Sequence, residues 1–257
     1  MKILLIDIET SPNTAHVWGL WQQNVSLNQL LESSYTMCYS AKFLGEKTIY
    51  FDSVHKNDAK TMLEGVYKLL EQADAVVHYN GSKFDMPTLN KEFLLHKMPP
   101  TPPIKQIDLL MVVKSQFRFP SNKLDYVGKT LGVGAKTEHE GFDLWIKCMN
   151  RDGKAWKRME EYNKQDVILL EKVYHRMLPW IKNHPNHGLY RDSSLNCCDR
   201  PVCPNCGSFN VVKKGTETTK TMKYERFKCT SCGTPIRGKN TILSREQSKV
   251  VLTQSKL

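Results

Sequence analysis

Short apolar runs alternate with amphipathic stretches over roughly the first 180 residues of the chain. Five stretches have the length and apolar content of strands: residues 2–8, 35–45, 47–52, 75–81 and 104–107. Others show helical spacing of apolar residues: 57–74, 86–96, a stretch from Asp108, and 154–178. Strands before, between and after helices predict an α/β fold, with a mixed five-stranded sheet flanked by helices.

This pattern breaks after the last predicted helix, where residues 183–198 are rich in Pro, Gly, Asn and Ser. A chain of 257 residues is long enough for one sizeable core plus a small appendage. We therefore predict a domain over 1–182, a linker over 183–198 and a second, small domain over 199–257.

Apolar runs are all far shorter than the roughly 20 residues that a membrane helix needs. The apolar stretch near the amino terminus is also too short for the core of a secretory signal. These patterns predict a cytoplasmic protein without a membrane partner.

Charge is concentrated in the carboxy-terminal part. The formal net charge is +11, and residues 196–257 hold 12 Lys and Arg against 4 Asp and Glu. A basic segment of this kind favours a polyanionic partner, most simply nucleic acid.

Two carboxylates end the first predicted strand. Asp7 and Glu9 are two positions apart, so their side chains face the same side of a strand. Like charges held together need a counterion, and carboxylate oxygens suit Mg²⁺ or Mn²⁺. The alternative is that both residues begin a solvated loop.

Two further patterns add acidic and phenolic groups. Asp85 begins a predicted helix and is either a metal ligand or its N-cap. Tyr162 and Asp166 are four positions apart in the last predicted helix and share one face, which a solvated surface pair would also explain.

Taken in order, DIET (7–10), YNGSKFD (79–85) and YNKQD (162–166) resemble the three motifs of the DEDD superfamily of 3'-5' exonucleases. The match covers about residues 1–180. Tyr162 before Asp166 resembles the DEDDy branch, since the histidine branch would have histidine where this chain has Glu161. The motifs are especially similar to the proofreading domain of family B DNA polymerases and to stand-alone bacterial or phage exonucleases.

This resemblance implies a ribonuclease H-like fold and a two-metal mechanism. Asp7, Glu9 and Asp166 would hold one Mg²⁺ or Mn²⁺, and Asp7 would bridge to a second ion supported by Asp85. Tyr162 would orient the attacking water, and Asn80 would contact the terminal nucleotide, unless it is only a turn residue.

The implied reaction is hydrolysis of DNA, preferably single-stranded, from its 3' end, with release of 5'-mononucleotides. The compartment would be the cytoplasm of a bacterium or of a phage-infected host cell. Two alternatives stay open: a 3'-5' exoribonuclease with the same carboxylates, and a non-enzymatic nucleic-acid-binding protein.

The tail contains two Cys-x2-Cys pairs separated by 22 residues: Cys203, Cys206, Cys229 and Cys232. This spacing predicts one structural Zn²⁺ with four thiolate ligands. A domain this small has too little apolar core to fold without a stabilising cross-link such as a metal ion. Each pair is followed by glycine, and the segment resembles a zinc ribbon, with predicted strands at residues 209–214 and 224–229. Cys197 and Cys198 fall outside the pattern and are predicted to be linker residues.

Basic and aromatic residues surround these cysteines, a combination that suits phosphates and bases. The predicted nucleic-acid contacts are Lys213, Lys214, Lys223, Arg226 and Lys228, with Phe209, Tyr224 and Phe227 interleaved. The alternative is a ribbon that is purely structural or docks replication or repair proteins.

Overall fold

The computed structural model describes residues 1–137, 140–190 and 200–255. Contacts group these into two compact units, one over Lys2–His175 and one that begins at Arg176 and includes Met1. Cys197 and Cys198 lie outside the described residues, so their assignment to a linker stays a prediction. In the part of the chain that is described, no helix combines the length and the apolar character required to cross a bilayer.

A mixed five-stranded sheet forms the centre of the first unit, which confirms the predicted fold class. Its strands are β1 (Ile3–Thr10), β4 (Thr36–Phe43), β5 (Tyr50–Ser53), β6 (Ala75–His78) and β7 (Lys105–Asp108), in the order β5-β4-β1-β6-β7. β1 is antiparallel to β4 and parallel to β6, which is parallel to β7. β1 is the central strand, with the antiparallel β4 on one side and the parallel β6 on the other.

Two very short strands, β2 (Thr14–Ala15) and β3 (Leu30–Glu32), form a separate antiparallel pair that the sequence pattern did not predict. They follow β1 directly along the chain. The segment between them contains one turn of 3-10 helix at Leu27–Gln29.

Among the described residues, six helices belong to the first unit, the last of them ending just beyond it: α1 (Ala59–Glu71), α2 (Asp85–Leu95), α3 (Leu109–Gln116), α4 (Leu124–Thr130), α5 (Phe142–Met149) and α6 (Gly153–Met177). α1 forms as its apolar spacing predicts, and Asp58 caps it by accepting a hydrogen bond from the Thr61 N–H. α4 and α5 were not predicted as helices, because each spans only about two turns and shows its apolar face too briefly.

Alternation along β1 divides its side chains between two layers. Ile6 and Ile8 pack with α1 and α2 in one apolar cluster. Cys38 of β4 is the cross-strand neighbour of Glu9 of β1. It packs instead with Trp156 and Met159 of α6 in a second cluster. Because side chains alternate in direction, Asp7 and Glu9 face the α6 side of the sheet.

The second unit contains a three-stranded antiparallel sheet. Its strands are β8 (Val211–Thr218), β9 (Lys223–Cys229) and β10 (Pro235–Thr241), in the order β10-β9-β8, and a short helix, α7 (Arg245–Lys249), follows. β8 and β9 correspond to predicted strands, whereas β10 was missed. The Asn205 side-chain amide donates to the carbonyls of Leu178 and Ile181 at 2.8 and 3.3 Å, which ties the segment after α6 to the first cysteine turn.

Candidate active site and metal centres

Three carboxylates converge where β1 meets α6. One oxygen from each of Asp7, Glu9 and Asp166 lies within 4.8 Å of the other two. Asp7 and Glu9 are on β1, and Asp166 is a buried residue in the middle of α6. The structure therefore brings together three of the four predicted ligands, although Asp166 is far from Asp7 and Glu9 in sequence.

Asp85, the fourth predicted ligand, faces the same strand from α2. Its Oδ1 accepts a hydrogen bond of 3.2 Å from the Ile8 N–H, between Asp7 and Glu9. Phe84 occupies the N-cap position of α2, and Asp85 is the first helical residue. The alternative interpretation of Asp85 as the N-cap is therefore wrong, because its carboxylate is directed to β1.

Burial and mutual repulsion make these carboxylates resist ionisation. Burial raises the pKa of Asp7 well above its usual value, and the charges of Glu9 and Asp166 raise it further. Burial also raises the pKa of Glu9 to about 8 and that of Asp85 to about 7. Asp7 and Glu9 are partly open to solvent as residues, but surrounding protein desolvates their carboxyl groups. The cluster has more negative charge than the nearby side chains neutralise.

Lys136 supplies a positive charge at this cluster. Its Nζ contacts the Asp166 carboxylate and donates to the Tyr162 hydroxyl at 3.0 Å. Burial opposes the lysine charge, but the carboxylates of Asp166 and Asp7 raise the pKa of Lys136 above its usual value. Sequence reasoning missed this residue, because it lies between the recognised motifs in a segment without regular periodicity.

Tyr162 and Asn163, which are neighbours in α6, contact different members of the cluster region: Tyr162 contacts Lys136, and Asn163 contacts Asp7. Burial, followed by the charge of Asp166, raises the pKa of Tyr162, so its hydroxyl keeps its proton at neutral pH. Asn163, which is buried, donates from Nδ2 to Asp7 Oδ2 at 2.7 Å and so fixes that carboxylate. Asn163 was not among the predicted site residues, although it adjoins Tyr162 in the third motif.

The turn after β6 holds Asn80 in a left-handed conformation that asparagine tolerates. Asn80 has a φ of 70°, and its N–H donates to Asp108 Oδ1 at 2.9 Å. The same carboxylate caps α3 through the Leu110 N–H at 3.0 Å. A Cβ on Gly81 would lie 2.3 Å from the His78 ring, so only glycine fits there. Asp108, which the sequence analysis did not select, holds this turn in place.

A cavity of about 570 Å³ opens next to these residues. Asp7 and Asn80 both line it, so the structure places the predicted nucleotide-contact residue on the same cavity as a predicted metal ligand. Three lysines also line it: Lys114, Lys123 and Lys136. A negatively charged group entering this cavity meets cations on its way to the carboxylates.

The second unit brings all four predicted zinc ligands together. Their sulfurs lie within 4.8 Å of one another, and the Sγ atoms of Cys203 and Cys232 are 3.6 Å apart, as are those of Cys206 and Cys229. Zn–S bonds of about 2.3 Å in a tetrahedron place sulfurs about 3.8 Å apart. The four residues therefore fit a zinc ion in both chemistry and spacing.

Each cysteine pair ends in the same tight turn. Gly207 and Gly233 have φ values of 73° and 84°, and their N–H groups donate to the carbonyls of Cys203 and Cys229. This left-handed conformation explains the glycine after each pair.

Cross-strand register separates the predicted nucleic-acid contacts of the second unit. Phe227 of β9 pairs with Lys213, whereas Arg226 pairs with Arg237 and Lys228 pairs with Val212. Residues paired across strands share a face, and neighbours along a strand do not. Arg226 and Lys228 therefore lie on one face of the sheet, and Lys213 lies on the other.

The face with Arg226 and Lys228 has two further groups that suit nucleic acid. Arg237 lies over the Tyr224 ring, 4.7 Å from its centroid.

The other predicted contacts lie elsewhere on the sheet. Lys223 lies on the opposite face together with Lys213, and Lys213 forms an ion pair with the Glu225 carboxylate. Lys214 lies in the irregular part of the β8–β9 register, where its carbonyl accepts from Arg226 Nε at 3.0 Å. The five predicted residues do not form one continuous patch.

Comparisons with known proteins concern mainly the first unit. The model of the RNase H superfamily matches residues 4–178. The family B DNA polymerase from the hyperthermophilic archaeon Pyrobaculum calidifontis is similar in structure, with a TM-score of 0.53 and 16% sequence identity. The similarity covers 69% of this chain and 24% of the polymerase chain, and at this identity it concerns the fold. Among curated protein sequences, none matches the chain.

Proposed function

The chain belongs to the RNase H superfamily, and from this membership and the carboxylate cluster we propose that it is a metal-dependent 3'-5' exonuclease of the DEDDy type. The observation that carries the proposal is the convergence of Asp7, Glu9 and Asp166 within 4.8 Å, with Asp85 bonded to the same strand. Superfamily membership and the likeness to a DNA polymerase support a nuclease.

The carboxylates fit divalent cations because they are oxygen donors whose ionisation the protein alone disfavours. Asp7, Glu9 and Asp166 would hold one Mg²⁺ or Mn²⁺, and Asp7 with Asp85 would hold a second. Two such ions, when bound, stabilise the attacking and leaving oxygens of phosphodiester hydrolysis.

The remaining residues position groups for this reaction. Tyr162 keeps its proton at neutral pH, so it orients a water by hydrogen bonding and does not act as a base. Asn163 holds Asp7 in place through its 2.7 Å hydrogen bond. Lys136 limits the repulsion between Asp166 and Asp7, and it lines the cavity in which the substrate phosphate would lie.

We propose single-stranded DNA 3' ends as the substrate. The cavity beside Asp7 is lined by three lysines, which suits a phosphate backbone, and the Asn80 side of the cavity suits the terminal nucleotide. The likeness to a DNA polymerase favours DNA over RNA. For the second domain, predicted over 199–257, we propose one structural zinc and a role in nucleic-acid binding.

The direct test is an assay with single-stranded DNA and RNA labelled at the 5' end, each with Mg²⁺ and with chelator. We expect shortening from the 3' end of DNA with release of 5'-mononucleotides, in Mg²⁺ only. A blocked 3' terminus should resist. Equal or faster loss of RNA would establish the exoribonuclease alternative, and internal fragments or no cleavage would contradict an exonuclease.

A second prediction concerns the basic face of the zinc-binding unit, formed by Arg226, Lys228 and Arg237. Replacing Arg226 and Lys228 with alanine should weaken single-stranded DNA binding, measured in chelator-free buffer with Ca²⁺. The slope of log affinity against log salt should fall by about 0.7 for each phosphate that the variant no longer neutralises.

The matched control carries Lys213→Ala and Lys223→Ala on the opposite face, and it should keep most of the affinity. If neither pair changes affinity or slope, the unit serves a protein partner or folding alone.

A further inference from the structure

The most exposed apolar surface in the described residues lies on the hairpin of residues 14–32, which contains β2 and β3 and is here named the tryptophan hairpin. Trp18 is 99% exposed and Trp21 is 85% exposed. Other large apolar side chains of the hairpin are also exposed: Val17, Leu20, Val25, Leu27 and Leu31. Several large apolar side chains exposed within one short segment point to an interaction site.

Hydrogen bonds between polar groups order this hairpin. The His16 N–H donates to the Gln29 carbonyl at 2.9 Å, and Gln29 Nε2 donates back to the His16 carbonyl at 3.0 Å. Ser26 and Gln29 form a capping box on the short 3-10 helix. The two indole rings lie between β2 and β3 along the chain and are almost fully exposed, so folding of the hairpin does not use them and their presence points to binding.

The tryptophan hairpin lies close to the carboxylate cluster along the chain. β1 ends at Thr10, directly after Glu9, and β2 begins at Thr14. At no more than about 3.6 Å per residue, Trp18 lies within about 32 Å of Glu9. A single strand whose end occupies the cluster reaches this distance within a short oligonucleotide.

The chemistry of the hairpin suits bases and not phosphates. Residues 11–34 contain no Lys or Arg and a single acid, Glu32. They present two flat aromatic faces and several side-chain amides, which are the groups that stack on bases and bond to their edges. The phosphate contacts would come from the lysines of the cavity.

We propose that Trp18 and Trp21 stack on unpaired bases of the strand whose 3' end lies in the carboxylate site, a few nucleotides from that end. This inference rests on the proposed exonuclease function and adds to it the two side chains that would hold the unpaired bases. Bases within a duplex are already stacked on each other, so they are not available to these rings.

Binding of a fluorescently labelled single-stranded 12-mer to the full chain, without divalent metal, tests this proposal. Replacing Trp18 and Trp21 with alanine should lower the affinity by about 5- to 150-fold for each base unstacked. The salt slope should stay unchanged, because no cation is removed. Affinity for a blunt duplex should also stay unchanged.

The matched control replaces Leu20 and Leu27, which are 88% and 89% exposed on the same hairpin, with alanine. This control should bind the 12-mer as the unmodified chain does. A comparable loss in the control, or a loss for duplex, would overturn stacking and indicate an apolar surface for a protein partner. Full affinity of the tryptophan variant overturns it as well.

The two proposals can fail separately. Cleavage in Mg²⁺ together with full affinity of the tryptophan variant would reject stacking and leave the exonuclease standing. Absence of cleavage together with tryptophan-dependent binding would reject the exonuclease and support stacking.

Discussion

Replacing Glu9 with glutamine should lower Mg²⁺-dependent nucleotide release at least about 100-fold, because a metal ligand that stabilises the transition state is worth several kcal/mol. The same variant should make the metal-free protein more stable above pH 8. The stability effect has a separate cause, which is the cost of burying the negative charge of Glu9, and the charges of Asp166 and Asp85 increase that cost.

The direction of this stability change follows from the pKa of Glu9 in the unfolded chain and in the folded protein. In the unfolded chain it ionises near its usual pKa of 4.5, and burial raises the pKa in the folded protein to about 8. Between these values the folded protein holds a proton that the unfolded chain has lost, so stability falls as the pH rises through this range. Neutral glutamine avoids that loss, and we expect a melting temperature at pH 8.5 higher by at least about 2–4 °C.

With Mg²⁺ present, the unmodified protein should instead be more stable than the Glu9→Gln variant. An ion at 100 times its dissociation constant stabilises the unmodified protein by about 2.7 kcal/mol, and a variant with a damaged site gains less. Melting curves at pH 6 and 8.5, with Mg²⁺ and with chelator, measure the effect. The control Glu161→Gln removes an exposed acid from α6 and should change neither activity nor melting temperature. A destabilised Glu9→Gln variant at pH 8.5 in chelator would contradict the electrostatic account.

Replacing Cys229 with serine should release one zinc per chain and unfold the three-stranded sheet of the second unit. Four thiolates bind zinc with an apparent free energy of about 10–16 kcal/mol at neutral pH, and this energy is folding energy for so small a domain. Zinc analysis and near-ultraviolet circular dichroism measure the loss. Magnesium-dependent release from short oligonucleotides should persist, because the carboxylate cluster belongs to the first unit.

The control for this variant is Cys148→Ala, which removes a buried cysteine from the first unit. It should keep one zinc per chain. A Cys229→Ser protein that still binds zinc in equal stoichiometry would show that the ligand set is different.

The sheet could be predicted because its strands carry their own signal. β1 and β6 are apolar runs, and Asp7 and Glu9 interrupt the first of these at alternate positions. The groups that act through tertiary contacts could not be found in this way. Lys136 and Asp108 are ordinary polar residues in sequence, and only the fold places them against Asp166 and the Asn80 turn.

The second unit shows the same limit at a smaller scale. Two Cys-x2-Cys pairs fix which residues converge, because the chemistry of zinc requires them to. The face on which a lysine lies depends on the strand register, and irregularities in β8 and β10 alter that register. A list of basic residues therefore predicts a partner class, but it does not predict a binding surface.

The order of β1 and α6 along the chain also has a consequence during synthesis on the ribosome. Asp7 and its hydrogen-bond partner Asn163 are separated by 156 residues. At about 5–20 residues per second, β1 leaves the ribosome roughly 8 to 30 s before the helix that completes its carboxylate cluster. Throughout that interval the nascent chain lacks Asp166, so a growing polypeptide carries no assembled nuclease centre close to the messenger RNA that encodes it.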